Sequence, residues 1–144
     1  MNEREYVIFQ IEGEYYGINI HNVENIEKQA EITRVPHVKP YIKGIINLRG
    51  NVIPVVDLRK RFGLPERDFD DEMRIIIVNY EDFQIGMIVD SSSETLQLSE
   101  ERVDKAPNIK TNINEEYVKD VGKHNDRIIM LLDLAKVFGI VEED

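Results

Sequence analysis

The feature that most constrains the fold of this 144-residue chain is an internal repeat. Residues 52–64 read VIPVVDLRKRFGL, and residues 128–140, which lie 76 positions later, read IIMLLDLAKVFGI. Six of the thirteen positions are identical, and most of the others exchange one apolar residue for another. A weaker pair, residues 6–20 and 75–89, combines an apolar run, an acidic turn and a glycine at an offset of 69. The same features recur in the same order, which indicates a duplicated structural unit.

Each copy of the unit reads as short β-strands joined by turns. Alternating β-prone runs separated by short polar segments predict three hairpins. The hairpins span residues 6–11 with 15–20, 42–48 with 52–56, and 74–79 with 83–89. In the strand at residues 52–56, Pro54 cannot donate a backbone hydrogen bond, so this strand is expected at a sheet edge or with a bulge at Pro54.

Two short helices follow the repeated strands. Asp57 and Asp133 are suited to cap the N-termini of helices at residues 58–62 and 134–138, because an N-cap carboxylate accepts backbone N–H groups. Gly63 and Gly139 can close these helices in the left-handed conformation. The polar stretch of residues 100–126, which includes Pro107, is expected to hold a loop and a short helix opened by Asn114.

Many short strands and almost no long helix predict a mainly β protein built of two small barrels. We expect approximate subdomains at residues 1–68 and 69–144, with terminal strands able to cross between them. A unit of about 70 residues buries a small fraction of its surface and is only marginally stable alone. The two barrels are therefore expected to pack across an apolar seam.

Composition excludes several classes of function. The formal net charge is −10 and both halves of the chain are acidic, which opposes binding of nucleic acid and of anionic lipid. There is no cysteine, so disulfides and thiolate metal sites are excluded. No apolar stretch is long enough for a membrane helix, and the N-terminus does not resemble a signal peptide. A cytoplasmic protein without direct membrane insertion is expected.

The sequence offers no reaction centre. His21, His37 and His124 lack the spacing of metal ligands, and no nucleophile motif surrounds Ser91–Ser93. Asp57 and Asp133 occupy equivalent positions, whereas a catalytic pair of carboxylates needs unequal environments. We therefore predict no catalytic residue, no metal and no cofactor. A nucleic-acid-binding barrel and an enzyme remain the alternatives from other functional classes.

Residues 42–58, IKGIINLRGNVIPVVDL, resemble the signature of CheW, the bacterial chemotaxis coupling protein. The earlier segments YGINI and VENI, the later GMIVD and the final LDL are also similar to that family. The resemblance implies two fused five-stranded SH3-like β-barrels, a single CheW-like domain over residues 1–144, and a non-enzymatic adaptor. Its implied partners are the cytoplasmic tips of transmembrane chemoreceptors and the regulatory domain of the histidine kinase CheA.

The resemblance also carries individual residues over. The implied receptor contacts are Val23, Asn25, Gly44, Asn47 and Arg49. The implied kinase contacts are Val52 and Pro54. At Asn25 the family commonly has Glu, so the expected negative charge is missing or displaced to Glu24.

Two further expectations concern the assembly. The resemblance implies a protein that is monomeric when isolated and is recruited to membrane-associated receptor arrays. The alternative within the same family is a regulatory module of a larger chemotaxis protein. The opening Met1 and the acidic tail Glu142-Glu143-Asp144 favour a complete small protein.

Overall fold

A computed structural model describes residues 3–28, 30–105, 113 and 115–139. These residues form eleven strands and two short α-helices, so the predicted mainly β fold is confirmed. The first strands are β1 (Glu3–Ile11), β2 (Glu14–Asn19), β3 (Val23–Glu27), β4 (Ile42–Leu48) and β5 (Asn51–Asp57), and helix α1 (Leu58–Arg61) follows. The later elements are β6 (Arg74–Tyr80), β7 (Phe83–Val89), β8 (Ser91–Ser99), β9 (Val103–Lys105), β10 (Val118–His124), β11 (Arg127–Leu132) and α2 (Leu134–Phe138).

The three predicted hairpins and both predicted helices are confirmed. The carboxylate of Asp57 accepts hydrogen bonds from the backbone N–H groups of α1, and that of Asp133 accepts one from α2. Gly63 and Gly139 both have positive φ, as the helix ends require. Asp57 and Asp133 thus cap equivalent helices, one in each copy of the repeat.

The expectation for residues 100–126 was wrong in part, because this stretch contributes β9 and β10. The strands escaped prediction because β10 alternates few apolar residues with Lys, Asp and Gly. A short 3₁₀ helix is present at Glu115–Tyr117, whereas Pro107 and Asn114 lie outside the described residues. Strand β8 was also missed, since it opens on three serines.

The strands form two sheets that exchange hairpins. Sheet A has six strands in the order β8-β1-β2-β11-β10-β9, and sheet B has five in the order β3-β6-β7-β5-β4. The hairpin β1–β2 therefore lies among strands of the second half of the chain, and β6–β7 lies among strands of the first half. Each sheet therefore combines strands from residues 1–68 and from residues 69–144, because a whole hairpin crosses over in each direction.

Each exchanged hairpin is joined to its sheet by parallel pairing. Val55 of β5 pairs with Gly86 of β7, and Leu131 of β11 pairs with Gly17 of β2. These two pairs are related by the offsets of the sequence repeat, since 55 and 131 differ by 76 and 17 and 86 differ by 69. The weaker half of the repeat therefore marks the exchanged hairpins, and its glycines lie at the two junctions.

Three apolar clusters hold the molecule together. One cluster lies within sheet A and another within sheet B, while the largest contains side chains of both sheets. In β6, for example, Ile75 and Ile77 belong to the cluster of sheet B, and Ile76 and Val78 belong to the shared one. Both faces of the inner strands are thus buried, which explains their continuous apolar sequences. The shared cluster is the predicted apolar seam.

Arg61 of α1 connects the two copies at the seam. Its guanidinium donates to the carbonyl oxygens of Val137, at 2.7 Å, and Lys136, at 2.8 Å, near the end of α2. The same group lies over the rings of Tyr41, 4.3 Å from the centroid, and Tyr117, 5.1 Å from the centroid. A cation stacked on aromatic rings and bonded to helix carbonyls ties the two helices together.

The expectation for Pro54 was wrong. Strand β5 lies inside sheet B, between β7 and β4, and the register shift of the β4–β5 pair falls between Ile42 and Gly44. An inner strand tolerates the proline because its ladder with β7 begins one residue later, at Val55. The missing N–H of Pro54 therefore costs sheet B no bond to β7.

Replacing Gly86 tests the packing at a hairpin junction. A Cβ atom at this position would lie 3.0 Å from Cγ2 of Ile75, which is buried on the same sheet. We expect Gly86→Val to lower the free energy of unfolding by about 1–3 kcal/mol through overpacking, although valine otherwise suits a strand. Urea denaturation measures the change, with Gln84→Val on the same strand as the control. Equal stability of Gly86→Val and the wild type would contradict the packing described here.

Candidate partner-binding surface

The seven residues implied as partner contacts all lie in sheet B. Val23 and Asn25 are on β3 at one edge, and the other five belong to the hairpin of β4 and β5 at the opposite edge. Strand β3 is separated from β4 by four inter-strand spacings, roughly 19 Å along the sheet. The residues therefore form two groups, one on each edge of sheet B.

On the β4–β5 hairpin, implied receptor and kinase contacts are direct neighbours. Asn47 pairs with Val52 across the two strands, and Ile45 pairs with Pro54. Val52 and Pro54 alternate with buried residues and point to the same side of the sheet as Val56, a member of the seam cluster. Val52 is 63% exposed, which makes it the most exposed large apolar side chain among the described residues.

Arg49 stands at the tip of this hairpin in a strained conformation. Its φ is 53° and that of Gly50 is 85°, the pattern of a two-residue turn with positive φ at both positions. The side-chain oxygen of Asn47 accepts a hydrogen bond from the Gly50 N–H, at 3.2 Å, and supports the turn. Arg49 is exposed, and no ion pair within the described part of the chain involves it. A strained, unpaired arginine is typical of a residue retained for binding.

Gly44 has a steric role. A Cβ atom at this position would overlap the carbonyl oxygen of Thr33, whose backbone exchanges two hydrogen bonds of 2.8 Å with Ile45. Gly44 is buried beneath this bridge. It therefore lets the segment before β4 approach the strand, which shapes the edge of sheet B.

A bulge separates the two contacts implied on β3. Val23 pairs with Val78, which belongs to the shared cluster at the seam. The register shifts after Val23, and Asn25 then pairs with Ile77, which belongs to the cluster of sheet B. Because directly opposed residues share a face, Asn25 points away from the seam side while Val23 points toward it. Ile26 pairs with Ile76, so it lies on the seam side with Val23.

The sequence analysis therefore missed Ile26, which is 40% exposed. Alternation along a regular strand would have placed Val23 and Asn25 together, and no residue signals the bulge in advance. The amide of Asn25 donates to the carboxylate of Glu27 on its own face, and Glu24 accepts a hydrogen bond from Gln84 at 2.6 Å. The two acidic groups near Asn25 are thus both engaged within sheet B.

The described residues contain no group of three or more side chains that could hold a metal ion. Within the same ranges no helix has the length and apolar character that crossing a membrane demands. Asp57 and Asp133 cap separate helices, and His21 and His37 are exposed. What sheet B offers chemically is a set of exposed side chains, Ile26, Asn47, Arg49 and Val52, together with the half-buried Val23, and such a set suits the docking of a protein.

Comparison with known proteins identifies relatives over nearly the whole chain. A family model described as "CheW-like domain" matches residues 5–142. A chemotaxis protein CheW from Bacillus subtilis is 40% identical over 91% of this chain and 84% of its own length. A chemotaxis protein CheW from Treponema pallidum is 35% identical over 94% of this chain and 82% of its own length.

A crystal structure supports the same relationship. The scaffolding protein TtCheW from Thermoanaerobacter tengcongensis superimposes with a TM-score of 0.89 at 36% sequence identity. The match covers 95% of this chain and 93% of the other. The two-sheet architecture is therefore shared with a protein described as a scaffold.

Substitution of Arg49 by Asn tests whether the arginine is kept at the expense of stability. Asn tolerates positive φ better than Arg, so we expect Arg49→Asn to raise the free energy of unfolding by up to about 1 kcal/mol. Chemical denaturation measures the change, with Arg74→Asn on a regular strand as the comparison. A clear loss of stability in Arg49→Asn would show that the arginine stabilises the fold instead.

Proposed function

The chain belongs to the CheW-like family, and from this premise we propose that it is a non-enzymatic adaptor in bacterial chemotaxis. It couples transmembrane chemoreceptors to the histidine kinase CheA. It works in the cytoplasm, where receptor arrays recruit it to the membrane without insertion. The observation that carries this proposal is the exposed surface of sheet B, which combines an unpaired Arg49 with exposed Val52 and Ile26.

The receptor contact has an apolar and a charged part. Val23 and Ile26 offer apolar surface beside the seam, and Val23 packs partly against the seam cluster. Arg49, at the other edge of sheet B, offers a guanidinium whose planar donors suit a carboxylate. In this proposal the helical tip of a receptor contacts both edges of sheet B.

The kinase contact is assigned to Val52 and Pro54. These residues share a face with Asn47, which is the cross-strand partner of Val52. The two partners therefore meet on adjoining parts of one surface. Contact of a β-barrel from the kinase with this apolar patch would bury Val52, which is 63% exposed in the free protein.

Reversing the charge of Arg49 tests the receptor contact. We expect Arg49→Glu to weaken binding of a receptor cytoplasmic fragment at least tenfold and to leave binding of the CheA regulatory domain unchanged, because the side chain projects from the hairpin tip. Separate pull-downs with each partner measure both. Lys123→Glu, an exposed charge reversal on sheet A, is the control. Unchanged receptor binding in Arg49→Glu would reject this surface.

A pair of substitutions on β3 tests which face meets the receptor. Ile26 and Asn25 are adjacent in sequence but point to opposite sides of sheet B. Ile26→Asp is expected to weaken receptor binding about tenfold, since it places a charge in an apolar contact, whereas Asn25→Asp should have little effect. Fluorescence titration with a receptor fragment measures both affinities. The opposite order would assign the contact to the face of Asn25.

A further inference from the structure

The two copies of the repeat contain equivalent cavities of very different size. Lys43 and Asp57 line the cavity of the first copy, and Lys119 and Asp133, each 76 positions later, line that of the second. The exchanged hairpins contribute equivalent residues as well, since Ile88 lines the first cavity and Asn19, 69 positions earlier, lines the second. The first cavity has a volume of about 20 Å³ and the second about 210 Å³.

The first cavity is small because the side chain of Arg59 lies in it. Arg59 is buried and donates to both carboxylate oxygens of Asp90, at 2.8 and 2.7 Å. It also donates to the carbonyl oxygen of Pro65 and forms an ion pair with Glu12 at 2.7 Å. Burial alone would raise the pKa of Asp90, but the hydrogen bonds from Arg59 and from the Glu12 N–H lower it below its usual value.

The second cavity lacks this side chain. The position equivalent to Arg59 is Ala135, 76 residues later, and a methyl group cannot reach where a guanidinium does. Both residues lie in the first turn of their helix, two positions after the capping aspartate. Helix α2 therefore places no guanidinium where Arg59 lies in the first cavity, and the one arginine that lines the second, Arg4, belongs to β1.

Both cavities are lined by charged residues of both signs, of which Lys43 and Asp57 have direct equivalents in Lys119 and Asp133. Without Arg59, the first is lined by two cations, Lys43 and Arg67, and two carboxylates, Asp57 and Asp90. The second is likewise lined by two cations and two carboxylates, which are Arg4, Lys119, Asp120 and Asp133. In the first cavity the carboxylate that holds the third cation, Arg59, is Asp90, whose equivalent by the offset of 69 is His21. In the second cavity the carboxylates are Asp120 and Asp133, both half-buried, and a carboxylate in such a position is stabilised by a cationic partner.

Polar groups complete the second cavity. Tyr6 lies in its wall, and burial, the largest influence, raises the pKa of its hydroxyl, so that the group stays neutral. Arg4 hydrogen-bonds to Tyr6 and is itself exposed, which holds this cation at the rim. Asn19 and Tyr80 add further polar and aromatic surface of the kind on which guanidinium groups stack.

We propose that this cavity of sheet A binds the guanidinium of an arginine side chain presented by a partner protein, with Asp120 and Asp133 as acceptors. This occupant is the same chemical group as the guanidinium of Arg59, which fills the equivalent cavity of the first copy. None of the seven implied receptor and kinase contacts lies in sheet A. The site therefore stands independently of the proposed adaptor surface on sheet B.

A titration with a minimal probe tests the site. N-acetyl-arginine methylamide is added to the ¹⁵N-labelled full chain, and amide chemical shifts are followed by NMR, with N-acetyl-aspartate methylamide as the oppositely charged comparison. We expect saturable shifts at Tyr6, Asn19 and Asp120 with the arginine compound only. Asp120→Asn should weaken this binding at least fivefold, and Lys123→Ala on the same strand should not.

A second variant fills the cavity from within. Ala135→Arg places a guanidinium at the position equivalent to Arg59, and it should abolish the shifts caused by the arginine compound. Absence of saturable shifts in the wild type would overturn the proposal, as would tighter binding of the aspartate compound, which would indicate an anion site. If Ala135→Arg does not fold, the Asp120→Asn titration decides, and unchanged binding there rejects the site.

Discussion

The parallel pairing of exchanged hairpins is the constraint on which the rest of this structure depends. Strand β5 reaches β7 through Val55 and Gly86, and β11 reaches β2 through Leu131 and Gly17. Neither sheet is complete without a hairpin from the other half of the chain. The shared apolar cluster then follows, because the exchanged strands bury one face in their own sheet and the other in the seam.

Two-sided burial of the inner strands leaves the sheet edges and turns for binding. In sheet B the exposed residues are found on the edge strand β3 and on the hairpin of β4 and β5, where Arg49 accepts a strained φ. Interaction surfaces made of a few apolar side chains and an arginine are common at protein interfaces. The proposed adaptor role requires exposed surfaces of this kind, and in sheet B they lie at the edge strand β3 and at the β4–β5 hairpin.

Duplication followed by divergence accounts for the differences between the copies. The capping aspartates and the closing glycines are unchanged, because each helix needs the same local backbone. Arg61 bonds to the end of α2, whereas the equivalent residue Val137 lies in the apolar seam. Arg59 fills one cavity, and Ala135 leaves the other open. The two copies therefore share the same local backbone but differ in the side chains at equivalent positions.

The sequence predicted the parts of this structure that depend on local pattern. Hairpins, capped helices and the seam follow from apolar runs, from Asp57 and Asp133, and from the repeat itself. The hairpin exchange could not be predicted from the sequence, because the local pattern around Gly17 and Gly86 is the same whichever half of the chain supplies the neighbouring strand. The bulge after Val23 was equally hidden, so nothing in the sequence indicated that Ile26 shares the face of Val23.

Native-state hydrogen exchange in increasing denaturant tests the interdependence of the two sheets most directly. Amides of β2 and β11 report on sheet A, and those of β5 and β7 report on sheet B. If each sheet is completed by the other half of the chain, the most protected amides of both should open with the same free energy, in one cooperative step. Full exchange in one sheet while the other keeps its protection would contradict this account.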